Sequence, residues 1–218
     1  MPVLDVRSPA EFAQGHVPGA YSVPLFTDRE RAEIGTVYKQ QSPAKAVRLG
    51  LTYAGQRMGE LVAEVDALVK RDHSPLEVYC WRGGKRSGSL ALILGQIGFK
   101  VAVIEGGYKA FRSELVTAIP PLSERLQWRV ICGPTGSGKT RLLHCLQAQG
   151  AQVLDLEGLA KHRSSVLGFI PGEQQPSQKK FDTLIWYALR KMDPSKPVYV
   201  ESESRKVGNL AVPESLIV

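Results

Sequence analysis

The stretch from Val78 to Ser89, VYCWRGGKRSGS, sets one thiol among three glycines and three cations. Cys80 is followed by Trp81, Arg82, Gly83, Gly84, Lys85, Arg86 and Ser87, so five residues separate the cysteine from Arg86. An apolar run ends at Tyr79 and a helical one begins near Leu90. The loop between them should turn successive backbone N–H groups, and the positive end of a helix dipole, into one anion cradle. Gly83 and Gly84 allow the backbone angles such a cradle needs. A thiol at its lip, near Arg82, Lys85 and Arg86, should ionise readily, and the thiolate is the nucleophile. Two chemistries use such a loop. One carries sulfur or selenium on the cysteine; the other attacks a phosphate ester while the arginine holds its oxygens. The inert reading is a strand-end cysteine that packs as a small hydrophobe.

A second anion site is written further on. After the apolar run Trp128–Cys132 comes Gly133-Pro134-Thr135-Gly136-Ser137-Gly138-Lys139-Thr140, a complete G-x-x-x-x-G-K-T phosphate loop (Walker A), and then a helical pattern. Its N–H groups and Lys139 can hold a di- or triphosphate, with the Thr140 hydroxyl available to Mg2+. The run Val198–Val200 delivers Glu201 and Glu203, followed by Arg205. A carboxylate closing an apolar strand can serve a phosphate loop by binding Mg2+ through water, or it can form a plain ion pair. No metal-ligand spacing is evident, so neither a resident metal nor a tightly bound cofactor is expected.

The 218 residues, 43% apolar and 22% charged, suffice for two ordinary globular domains. No apolar run reaches the ~20 residues that span a bilayer, and the start lacks a signal peptide's apolar core. With only three cysteines, Cys80, Cys132 and Cys145, a reducing cytoplasm is the expected location. Cys132 and Cys145 lack a cation cluster and are expected to be packing residues. The net charge of +7 is shared by both halves and suits a polyanionic partner such as RNA.

Elements must hold these two loops. Val3–Val6 is a short strand, and Ser8-Pro9-Ala10-Glu11 a capping box. His16 beside Pro18-Gly19 reads as structural rather than as a base. Thr27 to Glu30 opens a second helix, which Tyr38-Lys39-Gln40-Gln41-Ser42-Pro43 should break. Gly50 and Gly55 suggest close backbone approaches. Met58, Leu61, Val62, Val65, Leu68 and Val69 form a helical core stripe, ended by His73-Ser74-Pro75. Strands at 76–79 and 101–104 alternate with helices, so the first part reads as an α/β domain with a parallel sheet and its ligand at the strands' carboxyl ends. Ile119-Pro120-Pro121-Leu122-Ser123 marks the expected boundary, giving domains 1–118 and 119–218. In the second, a strand at 152–156, a polar loop at 172–180 that could close over a ligand or touch RNA, an amphipathic helix at 181–189 and the strand before Glu201 follow.

Asp5-Val6-Arg7-Ser8-Pro9-Ala10-Glu11-Phe12, Gly15-His16-Val17-Pro18-Gly19-Ala20, the Cys80 loop and Glu105-Gly106-Gly107-Tyr108 resemble the successive blocks of a rhodanese domain. The loop is one residue longer than the usual sulfurtransferase loop, closer to phosphatase relatives of that fold. With the phosphate loop, and with stretches such as Glu157-Gly158-Leu159, Gln175-Pro176-Ser177 and Glu201-Ser202-Glu203-Ser204-Arg205, the chain resembles the tRNA 2-selenouridine synthase family. The fold then implied is rhodanese-like with a parallel sheet, followed by a partial phosphate-loop α/β domain. The resemblance implies a cytoplasmic tRNA-modifying transferase that replaces the 2-thio sulfur of a wobble uridine by selenium. It implies selenophosphate and geranyl diphosphate as co-substrates and an S-geranyl intermediate. Cys80 would be the selenium-transfer cysteine.

Alkylation makes the sulfur a better leaving group, and a phosphate-sized occupant suits the longer loop. The second domain is short for the family, so a missing C-terminal half or a partner chain is expected. Two other readings stay open: a sulfurtransferase or Cys-dependent phosphatase with a nucleotide-sensing loop, and a non-catalytic tRNA-binding remnant.

Overall fold

The computed structural model describes residues 1–69, 75–134, 136–165 and 168–217. It divides into two compact units, Met1–Phe111 and Arg112–Val218. Among the described residues no helix is long and apolar enough to cross a membrane.

The first unit alternates strands and helices: β1 (Val3–Asp5), α1 (Pro9–Ala13), β2 (Tyr21–Ser22), α2 (Asp28–Gln40), α3 (Pro43–Leu68), β3 (Leu76–Tyr79), α4 (Lys85–Gln96), β4 (Val101–Val103) and α5 (Gly107–Glu124). The sheet order is β2-β1-β3-β4, parallel throughout. Helices cover such a sheet, so its strands are apolar: Leu4, Val6, Leu76 and Val78 are fully buried. Leu61 and Val65 of α3 and Leu90 and Leu94 of α4 close the same core. Each such Leu contributes roughly 1.5–3 kcal/mol.

Local chemistry sets the helix starts. The Glu11 carboxylate accepts the Ser8 N–H at 3.2 Å, and Thr27 and Glu30 cap α2 reciprocally. The break expected within 38–43 falls at Gln41-Ser42, between α2 and α3, and the Ser42 hydroxyl accepts the Lys45 N–H. Gly50 and Gly55 both lie inside α3. Only Gly50 meets a neighbour, the Phe26 ring, 3.3 Å from where a Cβ would sit; Gly55 faces open space. His73 and Ser74, expected to end α3, lie outside the described residues.

The boundary expected at 119–123 lies within a helix. α5 continues through Pro120 and Pro121 to Glu124. Proline normally breaks a helix by removing an N–H. Here the carbonyls that lose partners belong to Val116 and Thr117, both exposed, where water can replace the bond. Leu115 and Ile119 are buried, and the Ser123 hydroxyl donates to the Ser215 carbonyl at 2.9 Å.

The second unit continues with β5 (Gln127–Ile131), α6 (Lys139–Ala148), β6 (Gln152–Leu154), α7 (Leu156–Ala160), α8 (Gln178–Lys191), β7 (Pro197–Glu201), β8 (Lys206–Val207) and β9 (Leu210–Ala211). Its parallel sheet has the order β5-β7-β6, and β8-β9 is an antiparallel hairpin. Phe181, Ile185 and Leu189 form the buried stripe of α8. The polar segment before α8 is a tied connector. Gln175 donates to the Ala160 and Val207 carbonyls and accepts from the Asn209 N–H, while Gln178 to Lys180 already belong to α8. Cys132 and Cys145 are exposed, against the expectation that they pack. Cys132 follows an edge strand of a three-stranded sheet, and Cys145 lies off the buried face of α6 that carries Leu143.

Candidate functional site

Cys80 follows β3 at the carboxyl edge of its sheet and is only 4% exposed. Its Sγ accepts the Gly84 N–H at 3.3 Å and the Ser87 hydroxyl at 3.3 Å. Burial pushes the thiol up, but the Ser87 hydroxyl and the loop N–H groups of Ser87, Arg82 and Gly84 outweigh it and hold the pKa below the usual thiol value. The thiolate is therefore favoured by hydrogen bonds rather than by the neighbouring cations that the sequence suggested. Arg82 and Lys85 are exposed. Arg86 is turned onto Glu11, donating at 2.7 Å and 3.4 Å.

Backbone approaches close the loop. Gly83 has φ +64°, and a Cβ there would lie 2.4 Å from the Ile104 carbonyl oxygen. Gly107 has φ +55°, with its Cβ position 2.3 Å from the Cys80 carbonyl oxygen. Only glycine fits at either place. The Tyr108 and Lys109 N–H groups donate to the Cys80 and Trp81 carbonyls at 2.9 Å. Trp81 lies against Tyr108, and the buried Arg7 guanidinium sits 3.9 Å from the Tyr108 ring centroid while chelating Asp5. His16 stacks on Phe12 and bonds the Phe12 carbonyl, a structural placement.

The phosphate loop lies between β5 and α6, with Gly136 and Gly138 at φ +83° and +87°. Thr135 lies outside the described residues. Where a Cβ on Gly133 would sit, the Ser137 Oγ is 2.8 Å away. Lys139 Nζ donates to the Gly133 and Pro134 carbonyls at 3.0 Å and 3.3 Å, so it is held over the loop it would serve. The Thr140 hydroxyl donates to Glu157 at 3.2 Å.

β7 pairs with β5 in a register that sets Glu201 opposite Ile131, and the Ser202 N–H donates to the Ile131 carbonyl at 3.0 Å. Glu201 thus ends beside the loop. Oxygens of Glu157, Glu201 and Glu203 lie within 4.8 Å of one another. Burial and the neighbouring Glu157 raise the Glu201 carboxyl; burial, Glu157 and Glu201 raise that of Glu203. Arg205 is exposed, and its carbonyl accepts the Val212 N–H. Glu157 and Glu11 were not singled out as site residues from sequence. Glu157 was findable: it lies just past β6 as Glu201 closes the parallel β7, and carboxyl ends of neighbouring strands converge.

Residues 1–114 match the family model described as a rhodanese-like domain, and residues 126–218 match the tRNA 2-selenouridine synthase AAA domain. A curated tRNA 2-selenouridine synthase from Nitrosomonas europaea is 41% identical over 98% of this chain and 56% of its own length. One from Bdellovibrio bacteriovorus is 37% identical over 100% of this chain and 58% of its own length. The chain therefore spans little more than half the length of these relatives. A solved N-terminal domain of a Clostridium difficile protein is 34% identical, with a TM-score of 0.49, over 52% of this chain and 87% of that one.

Proposed function

Because the chain joins a rhodanese-like domain to a tRNA 2-selenouridine synthase AAA domain and belongs to that family, we propose that it acts as a tRNA-modifying transferase on wobble 2-thiouridine. The phosphate loop takes the diphosphate of geranyl diphosphate. The 2-thio sulfur attacks the first carbon of the geranyl chain, the carbon–oxygen bond breaks, and inorganic diphosphate leaves. The Gly133–Gly138 loop and Lys139 hold the charge that develops on it. A thiocarbonyl sulfur is a poor leaving group and an S-geranyl group a better one, so selenide then replaces sulfur at C2 of the uridine as geranylthiol departs.

Selenophosphate supplies the selenium. It is a small oxyanion, and the Cys80 loop is a small oxyanion cradle whose thiol is held toward the thiolate. Cys80 acts on this donor: its thiolate attacks the phosphorus of selenophosphate, the phosphorus–selenium bond breaks, the selenide released displaces geranylthiol, and water then hydrolyses the phosphocysteine. Arg82, Gly83, Gly84, Lys85 and Ser87 form the cradle, and Trp81 carries its rim against Tyr108. Mg2+ at Thr140 would neutralise the diphosphate; Glu201 and Glu203 lie where they could share it.

The observation that carries this reading is the presence of two separate anion sites, one with a nucleophile and one without. Two variants on 2-thiouridine tRNA test it. Cys80→Ser should accumulate the S-geranyl product and form no selenouridine. Lys139→Ala should form neither. Geranylation unchanged in Lys139→Ala, with nucleotide turnover lost, would overturn the assignment of the diphosphate. Wild-type selenation by Cys80→Ser would remove Cys80 from the mechanism.

A further inference from the structure

No residue of the helical hairpin α2–α3 takes part in either anion site. The two helices are joined by Gln41 and Ser42 alone and lie side by side. The Tyr53 hydroxyl donates to Glu33 at 2.8 Å, and the Ile34 side chain is 3.7 Å from where a Cβ on Gly50 would sit. Charge is sorted along the hairpin. Asp28, Glu30 and Glu33 stand in the first half of α2, and Glu60, Glu64 and Asp66 in the last part of α3. Between Glu33 and Glu60 the chain carries no acidic residue but four cations, Lys39, Lys45, Arg48 and Arg57. Lys39, Lys45 and Arg48 flank the turn of the hairpin beside Tyr38, and all are exposed. Among the described residues none of these three cations pairs with a carboxylate. Helix stability does not call for them either: Lys45 stands in the first turn of α3, where the helix dipole disfavours a cation. Arg48, Thr52, Gly55 and Gly59 recur every three or four residues and are exposed, so they share one face of α3. Glycine weakens a helix relative to alanine, yet a Cβ on Gly55 or Gly59 would meet nothing within 4 Å. Packing within the chain therefore requires neither glycine.

We propose that the α2–α3 hairpin is a docking surface for tRNA. Lys39, Lys45 and Arg48 meet backbone phosphates, and the bare Gly55 and Gly59 face of α3 lets the sugar-phosphate backbone lie close against the helix. The inference rests on the functional reading for its RNA partner and names the part of the chain that holds it. Unpaired cations in a chain of net charge +7 complement a polyanion, and each phosphate they neutralise releases counterions. Lysine and arginine on exposed stems read charge rather than base edges. The hairpin therefore positions the tRNA and leaves the choice of the thiolated uridine to the two anion sites.

Binding of labelled tRNA to the intact chain across a salt series tests it, with a triple variant carrying Lys39→Gln, Lys45→Gln and Arg48→Gln. Affinity at about 0.1 M salt should fall by about tenfold or more, and the slope of log affinity against log salt should shrink by roughly 2–3. Thiolated and unthiolated tRNA should lose alike, while the melting temperature, Cys80 alkylation and geranyl diphosphate binding stay unchanged. Gly55→Ala combined with Gly59→Ala should bind tRNA more weakly yet melt at or above the wild-type temperature, a pairing that a folding defect cannot produce. Undiminished tRNA binding by the triple variant would overturn the surface. So would an equal loss when the exposed Lys100, Arg125 and Lys196 are changed to Gln instead, or a triple variant that loses only binding to anionic vesicles. Wild-type geranylation by the triple variant, with KM for tRNA unchanged, would remove the surface and keep the functional reading. Lost tRNA binding in the triple variant of a chain that never geranylates would sink the functional reading and uphold the surface.

Discussion

Arg86 and Glu11, 75 residues apart in sequence, meet as a half-buried ion pair at 2.7 Å. Glu11 also accepts the Ser8 N–H in the α1 cap and lies 3.5 Å from Arg31. One carboxylate thus ties the start of α1 to the helix that follows the Cys80 loop, and Arg86 is held by protein when no oxyanion is bound.

Replacing Glu11 by Gln should cost on the order of 1 kcal/mol, through a weakened cap and a lost charge-assisted pair. Phosphate should bind the Cys80 loop more tightly, because Arg86 is released. Arg86, Ser8 and Arg31 hold the Glu11 carboxyl below its usual value despite burial. Its contribution is therefore present above the ordinary carboxylate range and is lost as pH falls through the depressed value. A urea titration from pH 7 down to pH 3 should show wild type and variant converging in acid; a constant gap would refute the pairing.

Cys80 should be alkylated with a midpoint below the ordinary thiol range, and Ser87→Ala should move that midpoint up. Because Cys132 and Cys145 are exposed, the measurement needs both replaced by Ser. Identical pH profiles with and without the Ser87 hydroxyl would show that the thiolate owes nothing to it.

Two adjacent glycines should respond differently to alanine. Gly83→Ala forces a Cβ to 2.4 Å from the Ile104 carbonyl oxygen at φ +64° and should cost about 1–3 kcal/mol. A Cβ on Gly84 meets nothing within 4 Å, so Gly84→Ala should change the melting temperature little. Equal losses for the two would contradict the loop geometry.

Arg7 and Asp5 are both at most 1% exposed and are joined by a forked pair. Arg7→Ala should destabilise by roughly 3–5 kcal/mol, since it strands a buried carboxylate. Arg7→Ala combined with Asp5→Asn should recover part of that loss in urea denaturation. No recovery in the double variant would show that packing on Tyr108, rather than charge, is what Arg7 supplies.

The sequence by itself determined the alternation of strands and helices in the first unit, the glycines of both loops, and the capping of α1 and α2. These depend on contacts a few residues apart, such as Ser8 with Glu11 or Thr27 with Glu30. The alternation of buried strands with amphipathic helices is likewise a local pattern, and it sufficed for a parallel-sheet architecture. Tertiary structure decided what the reactive groups meet. Pairing of Arg86 with Glu11, of Cys80 Sγ with Ser87, and of Glu157 with Glu201 and Glu203 follows from strand register and helix placement. The edge position of β5 left Cys132 exposed, and solvation of an outer turn let α5 pass through Pro120 and Pro121. Charges nearby in sequence were thus a poor guide to the Cys80 thiol. A loop residue projects away from its neighbours as often as toward them, and only the folded backbone aims its N–H groups at the sulfur.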